Sequence, residues 1–586
     1  MAHPFKEAAA GSYLLSIYRG KEPIDQFPSR PPPAKLNVAM EVVAAAASPA
    51  LGASLPSSSS TTILQVLLLM VMLVYLVIKN LKTRRKSTCN NTTPPLPPGP
   101  TPWPVVGNIP EMLLSDKPAF RWIHHVMKEM GTDIACVKLG GVHVIPITCP
   151  KIAREVLKKQ DANFASRPLT LASKTFSRGY MDAVMSPSGD HWRKMRRVLA
   201  SEVVCPSRHT WLHGKRAGEA DNLTRYVYNL AGEGTGDVDV RHIARHYCGN
   251  VVRRLVFNRR YFGEPQPDGG PGLPEVQHVD AVFACMGLLY SFHVSDYLPW
   301  LLGLDLDGHE KMVKVANETV SRLHDTYIDE RWRQWKSGEK SELEDLLDVL
   351  ITLKDAEDRP VLSIEEVKAQ VQDITLAAMD NPSSAVEWAL AEMVNSPEMM
   401  KKAVEEIDNV VGRARLVQES DIPRLNYLKA CIREAFRLHP VAPFNVPHVA
   451  LEDATVAGYH IPKGSHVILS RIGLGRNLGV WDDPLRFNPD RHLPTVDPKM
   501  EVTLTENDLR FISFSTGRRG CIAASLGTAM CIMLFARLLQ GFSWSKPAGI
   551  SSVDLSESRH DILMAKPLLL HAEPRLPAHL YSDISA

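Results

Sequence analysis

The stretch from Phe511 to Phe535, FISFSTGRRGCIAASLGTAMCIMLF, constrains the fold more than any other, because it joins a tight Gly/Arg loop directly to an apolar helix. Gly517 and Gly520 permit turns that a Cβ resists, so the loop can close around the sulfur of Cys521. Arg518 and Arg519 adjoin that residue in the chain, and a helix expected from about Ile522 aims its positive end back at it. Cations and a helix N-terminus both favour thiolate over thiol, and a thiolate can ligate a metal. On these residues alone, a buried structural cysteine ahead of a core helix is the commoner arrangement.

Bulk properties exclude some classes of function. The chain has 586 residues, a net charge of +2 and a pI near 8.0, so it carries no global basic field of the kind that attracts nucleic acid. Its nine cysteines show no paired spacing, which argues against a disulfide framework and for a reducing compartment. Large, mainly helical enzymes hold one core at this length, so a second domain is not required.

Residues 1–60 are rich in Ala, Pro and Ser and offer no periodic apolar face, which reads as a disordered extension; Met40 is a plausible alternative start. A cleaved transit peptide is the rival reading of this leader. Residues 61–81 are almost wholly apolar and long enough to cross a hydrocarbon layer of roughly 30 Å as a helix. Lys79, Lys82, Arg84, Arg85 and Lys86 follow the span, whereas no Lys or Arg lies a similar distance before it, so the bulk of the chain is expected on the cytosolic side. Within residues 82–100, the PPLPPGP run at Pro94 to Pro100 reads as a stiff, extended linker or hinge. The globular part is expected over residues 101–586.

Val137 to Thr148 alternates around Gly140-Gly141 and predicts a small hairpin, while most of the remainder has helical period, so the fold is mainly α with small β-sheets. GDHWRKMRR opens a helix that places Trp192 and Arg196 one turn apart. In VQDITLAAMDNPSSAVEWALAEM, Pro382 lacks an amide hydrogen and crowds the carbonyl of Ala378, so the helix is expected to open at Asp380-Asn381 and free backbone acceptors for water or oxygen; a kink serving packing alone is the alternative. CIREAFRLHP places Glu434 and Arg437 on one helix face, able to pair bidentately.

Taken together, these motifs resemble the cytochrome P-450 superfamily. Phe514, Gly517, Arg519 and Cys521 match its haem-binding signature, with Ala523 where most members have Gly. The resemblance runs in order from the hinge to the carboxy terminus, and implies a single haem-thiolate catalytic domain behind an N-terminal membrane anchor. It further implies that Cys521 is the axial ligand of haem iron, and that Phe514 and Arg519 belong to the same cofactor-binding loop. By the same resemblance Trp192 and Arg196 reach one haem propionate and His448 the other. Arg491 is expected to join Glu434 and Arg437 in a structural triad. The helix that carries Asp380 should lie over the haem. Most members place a Thr after the acid; Asn381-Pro382 stands there instead, so Asp380 and Asn381 are the expected organisers of protons, with Pro382 as a structural mark.

Longer stretches, among them NFASRP, NVVRRLVFNRRYFG, VSDYLPWLLGLDLDGHEK, DNPSSAVEWALAEM and PFNVPHVA, resemble the plant amino-acid N-monooxygenases that make aldoximes. The implied reaction is two N-hydroxylations of an L-amino acid followed by loss of water and carbon dioxide. Electrons would come from NADPH through the membrane-bound NADPH-cytochrome P-450 reductase, in the endoplasmic reticulum, with an oxime-metabolising P-450 downstream. The group points to tyrosine or phenylalanine and leaves tryptophan and branched aliphatics open. The substrate carboxylate needs a cation or donors, because a buried unpaired charge is costly; Arg167, Arg178, Asn445 and Arg471 are the candidates. Three other readings compete: a P-450 hydroxylating carbon of another metabolite, a reductase-independent haem isomerase or dehydratase, and a non-catalytic haem-binding protein.

Overall fold

The computed structural model describes residues 94–582, apart from 233–235, 496, 498 and 499. The leader, the apolar span at 61–81 and the basic segment after it lie outside the described residues. Helices α1 (Asp190–Val198), α2 (Val240–Phe257), α3 (Leu273–Leu289), α4 (His309–Ser337), α5 (Ile364–Asn395), α6 (Asn426–Leu438), α7 (Arg471–Gly475) and α8 (Ala524–Gly541) carry or surround the site.

The longest of these, α5, organises the main core. It starts at a capping box, in which Ser363 accepts from the Glu366 amide and Glu366 reaches back to the Ser363 amide. Ala, Val, Leu and Met then supply apolar groups all round, so it runs buried against α2, α6 and α8. Trp388 on α5 is fully buried, and truncating it to Ala would cost about 3–5 kcal/mol. Helix α8 is also long and apolar enough to cross a membrane, but most of it is buried in this core.

The strands form three small sheets. β1 (Val137–Leu139) and β2 (Val142–Ile147) make the expected hairpin, with Gly140 in the left-handed region at its turn. β3 (Asp237–Asp239), β4 (His448–Val449), β5 (Ala454–Val456), β6 (Tyr459–Ile461), β7 (His466–Leu469), β8 (Phe542–Ser545) and β9 (Leu569–Pro574) follow. The first sheet has the order β1-β2-β7-β4, with only β2 and β7 parallel, Val144 opposite His466 and Ile147 opposite Leu469. The second has the order β3-β9-β8, and β5 pairs with β6. This register matters for the site. β4 carries His448, and β7 ends at Leu469, so that Ser470 can cap α7 by accepting from the Gly473 amide at 2.7 Å and launch Arg471.

The proline run is extended, as its composition demands, and is part of the packed body. The carbonyls of Pro95 and Pro98 each accept a backbone bond of 2.8 Å, from His460 and Cys136. The cysteines among the described residues are all free.

Candidate functional site

The Cys521 loop is shaped by its backbone. Gly517 has a φ of +75°, and a Cβ there would meet the carbonyl oxygen of Leu157 at 2.3 Å, so no other residue fits without moving the neighbouring segment. The Cys521 amide donates to the Phe514 carbonyl at 2.8 Å, and the Gly520 amide to the Gly517 carbonyl at 3.0 Å. The loop therefore folds back on itself and presents the sulfur. Cys521 is exposed whereas the other described cysteines are buried or half-buried, so its side chain faces a hollow that protein atoms leave unfilled.

Two details of the sequence reading change. The helix after the loop begins at Ala524, with Ala523 as its cap, because Ile522 and Ala523 still belong to the loop; the Ala523 N–H nevertheless points at the sulfur. Arg518 and Arg519 also turn away from it. The Arg518 amide donates to Asp161, and Arg519 donates to the carbonyls of Ala165 at 2.6 Å and Ser186 at 2.7 Å while lying 4.2 Å over the Trp192 ring. The cations that act on the sulfur are Arg196, whose guanidinium donates to the Gly520 carbonyl at 2.9 Å, and Arg471. Burial still outweighs them and holds the thiol above its ordinary range.

Trp192 and Arg196 share one face of α1, as their spacing predicts, and they meet Arg519 and Arg167. This cluster is short of negative charge. Burial, then Arg167 and Arg196, push the Arg519 guanidinium down to about 8. Burial likewise lowers Arg167 to about 10. The carboxylate that opposes this crowding, Asp182, is itself pushed towards its neutral form by burial and by Asp373. The buried Trp192 Nε1 has no hydrogen-bond partner among the described residues. His448 lies beside the same arginines, bonded through Nδ1 to the Phe164 carbonyl at 2.7 Å, and burial followed by Arg167 lowers it to about 3. The arrangement suits a ligand that brings carboxylates of its own.

Behind the loop, Glu434 receives Arg437 Nε and Nη2, each at 2.7 Å, and Arg491 Nε at 3.0 Å. A third side-chain partner is not foreseen from the sequence: His492 Nε2 lies 2.8 Å from Oε2, the oxygen that Arg437 Nε also reaches. Its only signal was its place directly after Arg491. Burial alone would raise Glu434, but Arg437 and His492 hold it at about 2. Arg437 also donates to the carbonyls of Gly475, Pro484 and Arg486, tying α6 to the segment ahead of the loop.

Across the hollow, α5 does not open at Asp380-Asn381, contrary to the expectation from Pro382. The helix is continuous from Ile364 to Asn395. Proline removes the donor for the Ala378 carbonyl, and side chains add bonds to the carbonyls on either side of it: Ser383 Oγ donates to Met379 at 2.8 Å and to Asp380 at 3.1 Å, and Asn381 Nδ2 lies 3.4 Å from Ala377. Ala377 is exposed and Ala378 and Asn381 are half-exposed in a helix otherwise buried around them, so this face borders open space. Asp380 is buried, accepts from Ser384 Oγ at 2.9 Å, and is raised above the usual carboxylate range by burial, with Ser384 and Arg245 opposing.

The four carboxylate-binding candidates separate clearly. Arg167 donates to the carbonyls of Val446, Pro447 and Val184; Arg178 pairs with Asp325 and Glu365; Asn445 exchanges bonds with Leu469 and serves the sheet. Arg178 and Arg471 each keep a buried Nε without a partner, and Arg471, unlike Arg178, pairs with no carboxylate among the described residues. A cavity of about 570 Å³ lined by Arg121, Glu392, His439 and Glu557 shares no residue with this site.

Residues 97–571 match the sequence profile of the family described as Cytochrome P-450. The chain is 78% identical over 495 residues to a tyrosine N-monooxygenase of Sorghum bicolor, covering 84% of this chain and 88% of that protein. It is 57% identical to tryptophan N-monooxygenase 1 of Arabidopsis thaliana, over 84% of this chain and 91% of the relative. It is 56% identical to valine N-monooxygenase 1 of Manihot esculenta, over 83% and 89%.

Proposed function

The chain belongs to the cytochrome P-450 family, and we propose that it converts an L-amino acid, tyrosine first, to the aldoxime. The 78% identity to a tyrosine N-monooxygenase across most of both chains carries this reading. One turnover to the oxime consumes two O2 and two NADPH and releases carbon dioxide and three waters. Such a product is an early step towards cyanogenic glycosides or related defence compounds, for which an oxime-metabolising P-450 would act next.

Haem bound through a cysteine thiolate supplies oxygen activation, driven by electrons from a reductase partner. The site residues fit it. Cys521 would hold the iron within the Phe514 loop; Trp192 Nε1, Arg196 and Arg519 would take up propionate carboxylates, ending the shortage of anion described above. His448 stands beside them as the remaining propionate contact. Asp380, kept towards its protonated form by burial, and Asn381 would hold and pass protons from the exposed face of α5. Glu434, Arg437, Arg491 and Pro382 shape the support.

NADPH-cytochrome P-450 reductase is the donor in this proposal, and the protein a single-pass protein of the endoplasmic reticulum, anchored by residues 61–81 with its catalytic domain in the cytosol. Contact with lipid is supported by Trp300, Leu302, Leu304 and Leu306, exposed within one short run.

The test is to supply each of the twenty amino acids, with NADPH and reductase, to membranes containing the full chain, and to detect oximes. Tyrosine should give the strongest signal. No oxime from any amino acid would overturn the function, and turnover without reductase would overturn the monooxygenase chemistry.

A further inference from the structure

We propose that Arg471 binds the α-carboxylate of the substrate; this deepens the aldoxime-forming reading and rests on it. An α-amino acid fixes its own geometry. The nitrogen to be hydroxylated must reach the centre that Cys521 would hold, and the carboxylate carbon is only two bonds from that nitrogen. The cation that pairs with the carboxylate must therefore sit beside the reaction centre itself.

Arg471 meets that condition. It lies near Cys521, Asp380 and Tyr290, and its charge favours the ionised form of each. Its backbone is fixed twice over: its amide donates to the Pro443 carbonyl at 3.0 Å, and it follows Ser470, which caps α7. Among the described residues no carboxylate lies within 4.0 Å of its guanidinium, and its Nε is buried without a partner. Arg167 spends its donors on carbonyls and Arg196 donates to Gly520, while Arg178, whose Nε is likewise buried without a partner, is already neutralised by Asp325 and Glu365. A planar guanidinium left with free, partly desolvated donors is matched to a carboxylate, and a carboxylate is what every amino-acid substrate brings whatever its side chain. The same cation would also keep the substrate zwitterion from burying an uncompensated charge.

Purified full-length holoenzyme would be titrated with L-tyrosine and with tyramine, which lacks the carboxylate, following the haem absorbance, for wild type, Arg471→Gln and Arg471→Lys. Arg471→Gln should weaken tyrosine binding by about 10- to 100-fold and raise KM alike, the loss of a charged hydrogen-bonding partner. Tyramine binding should stay within about twofold, and Arg471→Lys should recover part of the tyrosine affinity. Unchanged tyrosine affinity in Arg471→Gln, or equal weakening of both ligands, overturns the assignment. Loss of haem or of the thiolate band in both variants also overturns it, and gives the residue to the cofactor. A wild-type enzyme that makes no aldoxime overturns the proposed function with it, whereas active wild type with an indifferent Arg471→Gln overturns this assignment alone.

Discussion

The two sides of the hollow are built on opposite plans. On the side of Cys521, the loop and its support are tied to protein partners, with Trp192 Nε1 left open beside the arginines: the loop closes on Phe514, Arg196 holds Gly520, and Glu434 collects Arg437, Arg491 and His492. On the side of α5, Pro382 deletes a helix bond, small residues leave the face open, and Asp380 and Arg471 keep capacity in reserve. The first side is arranged to hold one group in one place. The second is arranged to receive groups that come and go, and its unfilled donors are the means.

Removing the ligand should have the largest effect. Cys521→Ala is expected to abolish the thiolate band in the reduced-CO spectrum and reduce oxime formation to background, with the protein still folded by circular dichroism. Next comes the support behind the loop. Glu434→Ala leaves Arg437 buried without its carboxylate, a loss of about 3–5 kcal/mol that denaturant unfolding would register.

Acid tests the same residue without mutation. Glu434 is about 2 in the fold against an ordinary 4.5, so its contribution, about 3 kcal/mol, is fully present above pH 4.5 and is lost as pH falls towards 2. Unfolding followed across that window should show the decline, and a flat response would remove Glu434 from the account.

The open side should answer differently. Asp380→Asn keeps an acceptor for Ser384 but no titrating proton, and is expected to lower oxime formation about 100-fold while leaving haem content and stability unchanged. Because burial raises the Asp380 pKa, a wild-type rate that depends on its proton falls on the alkaline side, and the variant should lose that limb. Ser383→Ala, at the smallest end, removes a hydroxyl that bonds the Met379 and Asp380 carbonyls beside the proline and should cost about 1 kcal/mol. If it instead abolished activity at unchanged stability, the division of labour between the two sides would be wrong.

These contrasts also explain what the chain disclosed in advance. Cys521, the Glu434–Arg437 pair and the Val137 hairpin are set by neighbours a few positions away, and local spacing made them legible. The partners of Arg519 and Arg196, and the contact of Glu434 with His492, were not, because Ala165, Gly520 and His492 lie far along the chain and meet them only when the sheets and helices pack. Pro382 misled for a related reason. Proline rules describe the lost backbone donor and ignore the hydroxyl and amide side chains on either side, which here are Ser383 and Asn381. The carboxylate candidates looked alike as residue types, and only their neighbours told Arg471 from Arg167 and Arg178.

The crowding of Arg167, Arg196 and Arg519 around Trp192 bears on how firmly the chain stays folded. Until an anionic ligand arrives, those charges repel one another, and the native state alone gains when it binds. The folded chain with its anion in place should therefore resist unfolding more than the folded chain without it.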